Sequence, residues 1–300
     1  MGLAELRAFL HVVDEGSFAA AATSLDVSRT TLRRHVDALE AETGVQLLER
    51  NSKGVVLTEA GQRLLRAGRV MEQEFSTMLR ALRETTERPE GDVHVTMPTG
   101  LMPSALSVVV GLIRGNWPGV RIRASFVDDP HLVKASETDL LVWFGEASPL
   151  GSWETRTVGV ARQRLLASAD YLRSHPAPTT LAELEAHTMH AWLGPNEVEP
   201  MLFGSRGERL PLRATLITKN PHVLHECAHL NLGIAWVPDG DLGSAPGRPP
   251  LVRLLDDLAG RDVPLRLGAP RALAEVPKIR VFLERIAEMS AFVRAQNQTR

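Results

Sequence analysis

A chain of 300 residues with 44% hydrophobic and 23% charged residues has the apolar material for a packed core and the length for two domains. Its formal net charge of −2 excludes a polycationic coat for nucleic acid, and its single cysteine, Cys227, excludes an intrachain disulfide framework. Apolar runs such as residues 106–113 fall far short of the roughly 18 residues that cross a bilayer, and no signal segment is legible, so a cytoplasmic chain without membrane contact is expected.

In chain order, Leu3, Leu6, Phe9, Leu10 and Val13 recur at helical spacing and predict a first helix of about three turns. Ser17 stands before Phe18 and four alanines, where its hydroxyl caps a short second helix. Leu25-Asp26-Val27 makes a turn, Ser28 caps a third helix, and Gly44 stops it. On that helix Leu32, Val36 and Leu39 form the buried edge, while Arg29, Thr30, Arg33 and Arg34 crowd the first turns of the remaining surface. Basic side chains at a helix N-terminus oppose the macrodipole and do little for stability. They suit phosphates and base edges, because Arg pairs bidentately with guanine and hydroxyls reach phosphates. An ordinary solvated face is the other reading of the same residues. Residues 45–50, a turn at Asn51-Ser52-Lys53-Gly54, and Val55-Val56-Leu57 then read as a hairpin, with Arg50 and Lys53 placed for backbone phosphates. From Ser28 to Arg69 eight Lys or Arg stand against five acids, so any DNA contact comes from a local patch.

Leu6, Phe9, Val13, Gly16-Ser17-Phe18, Ala21-Ala22, Leu25, Val27-Ser28, Leu39-Glu40, Gly44-Val45, Leu47-Leu48, Arg50 and Leu57-Thr58-Glu59-Ala60-Gly61 keep one order and spacing without a gap. In these residues the chain resembles the LysR-type transcriptional regulators. The resemblance implies DNA contacts by Ser28, Arg29, Thr30, Thr31, Arg33, Arg34, Arg50 and Lys53. Arg29 and Arg33 stand where that family often has Gln and Ser, and Leu48 where it often has Phe, which alters the reading surface and leaves the fold untouched.

Thr58 opens the longest predicted helix, to about Arg88. Gly68, Phe75 and Leu82 recur every seven residues, and Leu64, Met71 and Met78 do likewise, the pattern of a coiled-coil seam. A helix packed on its own domain is the alternative, since the glycine weakens a seam. In a LysR-type protein this helix pairs two subunits, and two-fold symmetry then predicts an inverted-repeat DNA site read by a homodimer or homotetramer.

Residues 89–92 mark a hinge into a second domain. Strands at 93–97, 120–127, 140–144 and 163–167 alternate with a helix at 103–116, predicting a parallel sheet covered by helices. A strand and helix group at 190–238, strands at 251–254 and 263–267 and a closing helix at 276–296 complete the pattern. The connection from Asp128 to Asp139 is too short for a full helix. The resemblance implies a two-lobed, periplasmic-binding-protein-like effector domain. The expected α/β architecture is thus a winged helix-turn-helix over 1–60, a linker helix over 58–88, and an effector domain over 89–300. Its first lobe spans about 92–166 and 238–300, its second about 167–237. Ligands collect beyond strand ends near helix N-termini, which points to Thr99 and Gly100 in one lobe and Thr218 and Asn220 in the other, although Thr99 and Asn220 also suit plain helix caps. Asp128 and Asp129 suit a surface turn or a cationic ligand.

His225-Glu226-Cys227-Ala228-His229 matches H-E-x-x-H, with His222 on the same face. A metal-responsive regulator, or a zinc metalloenzyme with Glu226 as base, is the competing reading. It needs an open cleft and a third ligand, neither legible here, and a helix with incidental histidines needs neither. No phosphate-cradling loop or nucleophile elbow is present, so no enzyme and no cofactor is expected. The expected function is a sequence-specific regulator modulated by a small ligand.

Overall fold

The structure, a computed structural model, describes residues 2–51, 54–84, 87–101, 103–239 and 249–286. They form two compact units. The first comprises Met1–Arg83 with Lys134–Ser136 and Leu150–Ser152, and the second the rest of the chain.

The first unit holds α1 (Leu3–Asp14), α2 (Phe18–Leu25), α3 (Arg29–Thr43), a two-stranded wing of β1 (Leu48–Asn51) and β2 (Gly54–Leu57), and α4 (Glu59–Arg83). The helices begin where local chemistry predicts. The Ser17 hydroxyl accepts the Ala20 N–H at 3.1 Å, and Gly44 ends α3 with φ +69°. Leu6, Phe9 and Leu10, with Ala21 and Ala22, Leu32, Val36 and Leu39, form one buried cluster closed by Leu47 and Leu48. Each large side chain fully buried there contributes about 1.5–3 kcal/mol, and the two alanines let α2 approach closely. The wing is in register Leu48↔Leu57 to Asn51↔Gly54, three residues later in its first strand than the alternation suggested. Helix α4 stops at Arg83, five residues before the expected end. There Glu84 pairs with Lys278 at 2.8 Å, and the following residues 85–86 lie outside those described.

The second unit contains β3 (Gly91–Pro98), α5 (Pro103–Asn116), β4 (Val120–Val127), β5 (Leu140–Phe144), β6 (Trp153–Ala167), α6 (Ala169–Ser174), β7 (Met189–Trp192), β8 (Met201–Phe203), β9 (Arg209–Pro211), β10 (Leu216–Thr218), α7 (Pro221–His229), β11 (Ile234–Asp239), β12 (Val252–Leu254) and β13 (Arg261–Pro270). A closing helix, α8, runs from 277 to at least 286, and its expected continuation to 296 lies outside the described residues.

The sheet is mixed, where the alternation predicted a parallel one. Two parallel triplets, β4-β3-β5 and β10-β7-β11, are joined through β6 and β13, which lie antiparallel to each other and to the strands beside them. Strand β6 is 15 residues long, where only its last five read as a strand. Its first two-thirds mix Thr, Arg and Val and lack an apolar run, and they are held by pairing with β13 from Trp153↔Pro270 to Gln163↔Arg261. Around β6 and β11 the core has two faces. Leu165 and Trp236 face α6 and the β8–β9 hairpin, whereas Leu166, Ala235 and Val237 pack with Leu224 and Ala228 of α7. The connection from Asp128 to Asp139 contains a 3-10 turn at Pro130–Leu132 in place of a helix, as its length requires.

Candidate nucleic-acid interface and effector cleft

Helix α3 owes its orientation to its apolar edge. With Leu32, Val36 and Leu39 buried, Arg29, Thr30, Arg33 and Arg34 are necessarily exposed. Ser28 and Thr31 differ from them in being engaged. The Ser28 hydroxyl accepts the Thr31 N–H at 3.0 Å and pairs with the Thr31 hydroxyl at 2.8 Å, an N-cap that leaves both groups partly committed. Arg33 Nε lies 3.7 Å from the Asp37 carboxylate one turn on. The exposed patch is therefore three arginines and a threonine, with one acid beside Arg33.

The wing is tied to this helix by a residue to which the sequence reading gave no contact. Glu40, on the flank of the buried edge, accepts the N–H groups of Leu47 at 2.7 Å and Leu48 at 3.0 Å through one carboxylate oxygen. The position of Glu40, four residues after Val36 on a helix whose apolar stripe reaches Leu39, is the signal that marks it as more than a solvated acid. On the far side, the Val55 N–H donates to Gly16 O at 3.1 Å, and a Cβ at Gly54 would lie 2.4 Å from that oxygen, so glycine is required there. Arg50 lies in β1 with its side chain outside the described set, and Lys53 lies outside the described residues altogether.

Helix α4 packs on α1 and on β2 of the wing. Leu64 and Leu65 pack against their core, and Gly68 sits so close to α1 that a Cβ would lie 2.7 Å from Leu6 Cδ1. Gly68 thus belongs to a contact within the chain, and its role in the expected seam is that of a close approach to Leu6. Of the other seam residues, Phe75 is half-buried with the Arg7 guanidinium 5.5 Å from its ring. Met71, Met78 and Leu82 are exposed, Leu82 by 70%. A groove lined by Val45, Leu47, Ala60, Leu64 and Ala67, with Gln46, Glu59 and Arg63 at its polar side, lies at the N-terminal half of α4. On the opposite face Gln73 and Thr77 are buried, and the Arg80 guanidinium donates to Ser136 O at 3.0 Å.

In the second unit, the four expected effector residues come together. Thr99 follows β3 and donates its hydroxyl to Asp128 at 3.1 Å. Gly100 is buried, with Pro221 Cδ 2.5 Å from where a Cβ would stand. Asn220 caps α7 by accepting the His222 N–H at 3.0 Å, and its own N–H donates to the Thr218 hydroxyl at 3.1 Å. Two residues not among the expected four bridge these loops. Lys219 Nζ meets Asp129 at 2.9 Å, and His222 Nε2 donates to Leu101 O at 3.3 Å. Partial burial works to raise the Asp129 carboxyl, but hydrogen bonds from Lys219 and the His131 N–H, with the lysine charge, hold it below the usual carboxylate range. Phe144 and Trp192 form an edge-on pair at 5.6 Å beside the bridge, and the Trp192 ring N–H donates to Lys219 O at 3.0 Å.

The H-E-x-x-H face reads differently in three dimensions. His225 Nε2 donates to Pro238 O at 3.2 Å, which with the His222 bond directs two of the three rings onto backbone carbonyls. Burial pushes His225 below its ordinary value, partly opposed by the Pro238 bond and Asp239. Among the described residues, no group of three or more His, Cys, Asp or Glu is assembled to hold a metal ion. The metal readings of this motif are accordingly not favoured.

The model of the bacterial regulatory helix-turn-helix proteins of the lysR family matches residues 3–62, and that of the LysR substrate binding domain matches residues 86–291. An HTH-type transcriptional regulator of Xanthomonas campestris pv. campestris is 26% identical over 92% of this chain and 82% of its own. The regulator CrgA of Neisseria meningitidis is 24% identical over 95% of both. In fold, the chain is similar to the full-length structure of the Vibrio cholerae virulence activator AphB, with TM-score 0.59, 22% identity, and coverage of 95% and 98% of the two chains. It is likewise similar to the CrgA structure from Neisseria meningitidis, with TM-score 0.58, 23% identity, and coverage of 97% and 99%. With its helix-turn-helix and its substrate binding domain each matched, the chain belongs to the LysR family: it is a DNA-binding transcriptional regulator with a domain for a small-molecule effector.

Proposed function

We propose that Arg29, Thr30, Arg33 and Arg34 of α3 enter a major groove of the operator, with Ser28 and Thr31 shaping the helix start and touching phosphates, and Arg50 and Lys53 of the wing reaching the backbone beside it. The observation that carries this reading is the exposed arginine cluster on the first turns of a helix whose opposite edge is fully packed. No stability argument explains three arginines at a helix N-terminus, where the macrodipole disfavours them. Two copies join through Met71, Phe75, Met78 and Leu82, with Leu64 and Gly68 fixing each linker helix to its own domain. The exposure of Met71, Met78 and Leu82 on one helix supports this arrangement. A two-fold assembly reads an inverted repeat as dimer or tetramer.

The winged domain takes residues 1–60, the linker 58–88 and the effector domain 89–300, its lobes at about 92–166 with 238–300 and at about 167–237. The effector enters between them beside Thr99, Gly100, Thr218 and Asn220, and it shifts the assembly by preferring one of its arrangements. Arg34→Ala tests the interface: affinity for all DNA falls, and the slope of log affinity against log salt decreases by about one phosphate contact. An unchanged slope and affinity in a gel-shift titration sinks the assignment of α3.

A further inference from the structure

We infer that Glu40 is a positioning residue for operator binding, the side chain that locks the wing to the recognition helix. This rests on the reading above, in which α3 and the wing meet DNA together. The Glu40 carboxylate accepts two N–H groups, from the last residue of the loop after α3 and the first residue of β1. Both donors, Leu47 and Leu48, have side chains sunk in the core, so the peptide between them has little freedom once Glu40 holds it. Hydrogen bonds to an ionised acceptor are roughly twice as strong as neutral ones.

The same peptide is held from the other side. Leu47 O accepts the Thr58 N–H at 3.1 Å, and the Thr58 hydroxyl donates to Gln46 O at 2.8 Å with a longer approach to Leu47 O at 3.2 Å. The Thr58 oxygen in turn accepts the Gly61 N–H at 3.0 Å, capping the first turn of α4. A continuous hydrogen-bonded path thus runs from α3 through Leu47 to the start of α4, with Glu40 as its charged link. A wing that leaves the helix at a fixed point needs no ordering when DNA arrives. Its phosphate contacts then add to those of the helix within one binding event, without the entropy cost of immobilising a loose hairpin.

The test uses the full-length protein and a duplex selected from a random-sequence library by the wild-type protein. Glu40→Ala leaves two partly buried N–H groups without their acceptor and frees the wing. Operator affinity should then fall about tenfold and the salt slope by about one phosphate contact, with hydroxyl-radical protection lost at the flanks and kept at the centre. Glu40→Gln retains an oxygen at the same reach and should restore slope and flanking protection. Glu40→Asp keeps the charge but is one methylene too short for both donors, and should lose the flanking protection even if the alanine variant fails to fold. A purely structural role would reduce the folded fraction while leaving slope and footprint of the bound molecules unchanged, and that outcome in Glu40→Asp overturns the inference. Arg34→Ala measured alongside keeps the two ideas separable. If its slope is unchanged, the helix reading itself fails, whatever Glu40 does.

Discussion

Replacing Gly61 by alanine would place a methyl carbon 2.1 Å from the Leu47 carbonyl oxygen and 3.0 Å from Leu57 Cδ2. Intrinsic preference points the other way, since alanine is favoured over glycine in a helix interior by about 1 kcal/mol. The clash decides the sign. Carbon and oxygen come to rest at about 3.3 Å, so the start of α4 must withdraw by about 1.2 Å from a backbone atom that cannot rotate away. That displacement stretches the two bonds from Thr58 to the same oxygen, now 3.1 and 3.2 Å, past hydrogen-bonding range. Losing both costs about 1–3 kcal/mol, and after the propensity gain of about 1 kcal/mol the net loss is up to about 2 kcal/mol. Gly68→Ala is the matched control. Its nearest obstacle is a leucine methyl 2.7 Å away, the far end of a side chain that can turn aside, so the propensity gain largely survives. All five tryptophans lie between Trp117 and Trp236, so their fluorescence follows the second unit. Far-ultraviolet circular dichroism follows both units. In a thermal scan the early helical transition should fall by about 4–8 °C per kcal/mol for Gly61→Ala, with the fluorescence transition unmoved. Equal stability of the two alanine variants would refute the reasoning.

Two further outcomes are expected. His225 has a folded value below its unfolded one of about 6.5 because burial disfavours its charge. Its neutral form therefore adds stability that is complete above that pH and is lost as pH falls toward the folded value. The stability seen in fluorescence-monitored unfolding should weaken as pH falls below about 6.5, less steeply in His225→Gln, and identical slopes would exonerate this histidine. On α4, Met71→Asp with Met78→Asp alters side chains that are nearly half exposed within one chain. The double variant should fold and sediment as a smaller species than wild type; an unchanged sedimentation coefficient would place the subunit seam elsewhere.

What could be read from the sequence divides by the range of the interaction. The N-terminal helices were legible because Ser17, Ser28 and Gly44 act on residues within one turn, and the apolar stripe of α3 dictates which arginines remain outside. For Glu40 the sequence marks only its place beside the apolar stripe, and its acceptor role toward Leu47 and Leu48 is a contact that spacing alone does not specify. Heptad spacing located Gly68 on the correct face of α4 but cannot say that this face meets Leu6 of the same chain. In the second unit the antiparallel β6–β13 pair escaped because Gln163 finds Arg261 across nearly a hundred residues, and pairing rather than an apolar run stabilises it. Thr99, Gly100, Thr218 and Asn220 were legible as turn and cap residues and do converge. That Lys219 and His222 bridge the same loops was not, because both depend on the second lobe folding back onto the first.

The long pair β6 and β13 has a consequence for how this domain can be divided. Strand β13 pairs with β6 along its whole length and with β5 at Leu265 to Gly268, while β6 also pairs with β11 at Arg162 to Leu166, so the two lobes share backbone rather than merely a linker. A polypeptide cut to carry the second lobe alone would keep β7, β10 and β11 yet lose the partner that covers Ala235 to Asp239 along one edge. It would expose a row of unpaired N–H and C=O groups to other copies. Dissection by truncation is thus a poor way to study this regulator, and separating its lobes calls for substitutions at their facing loops instead.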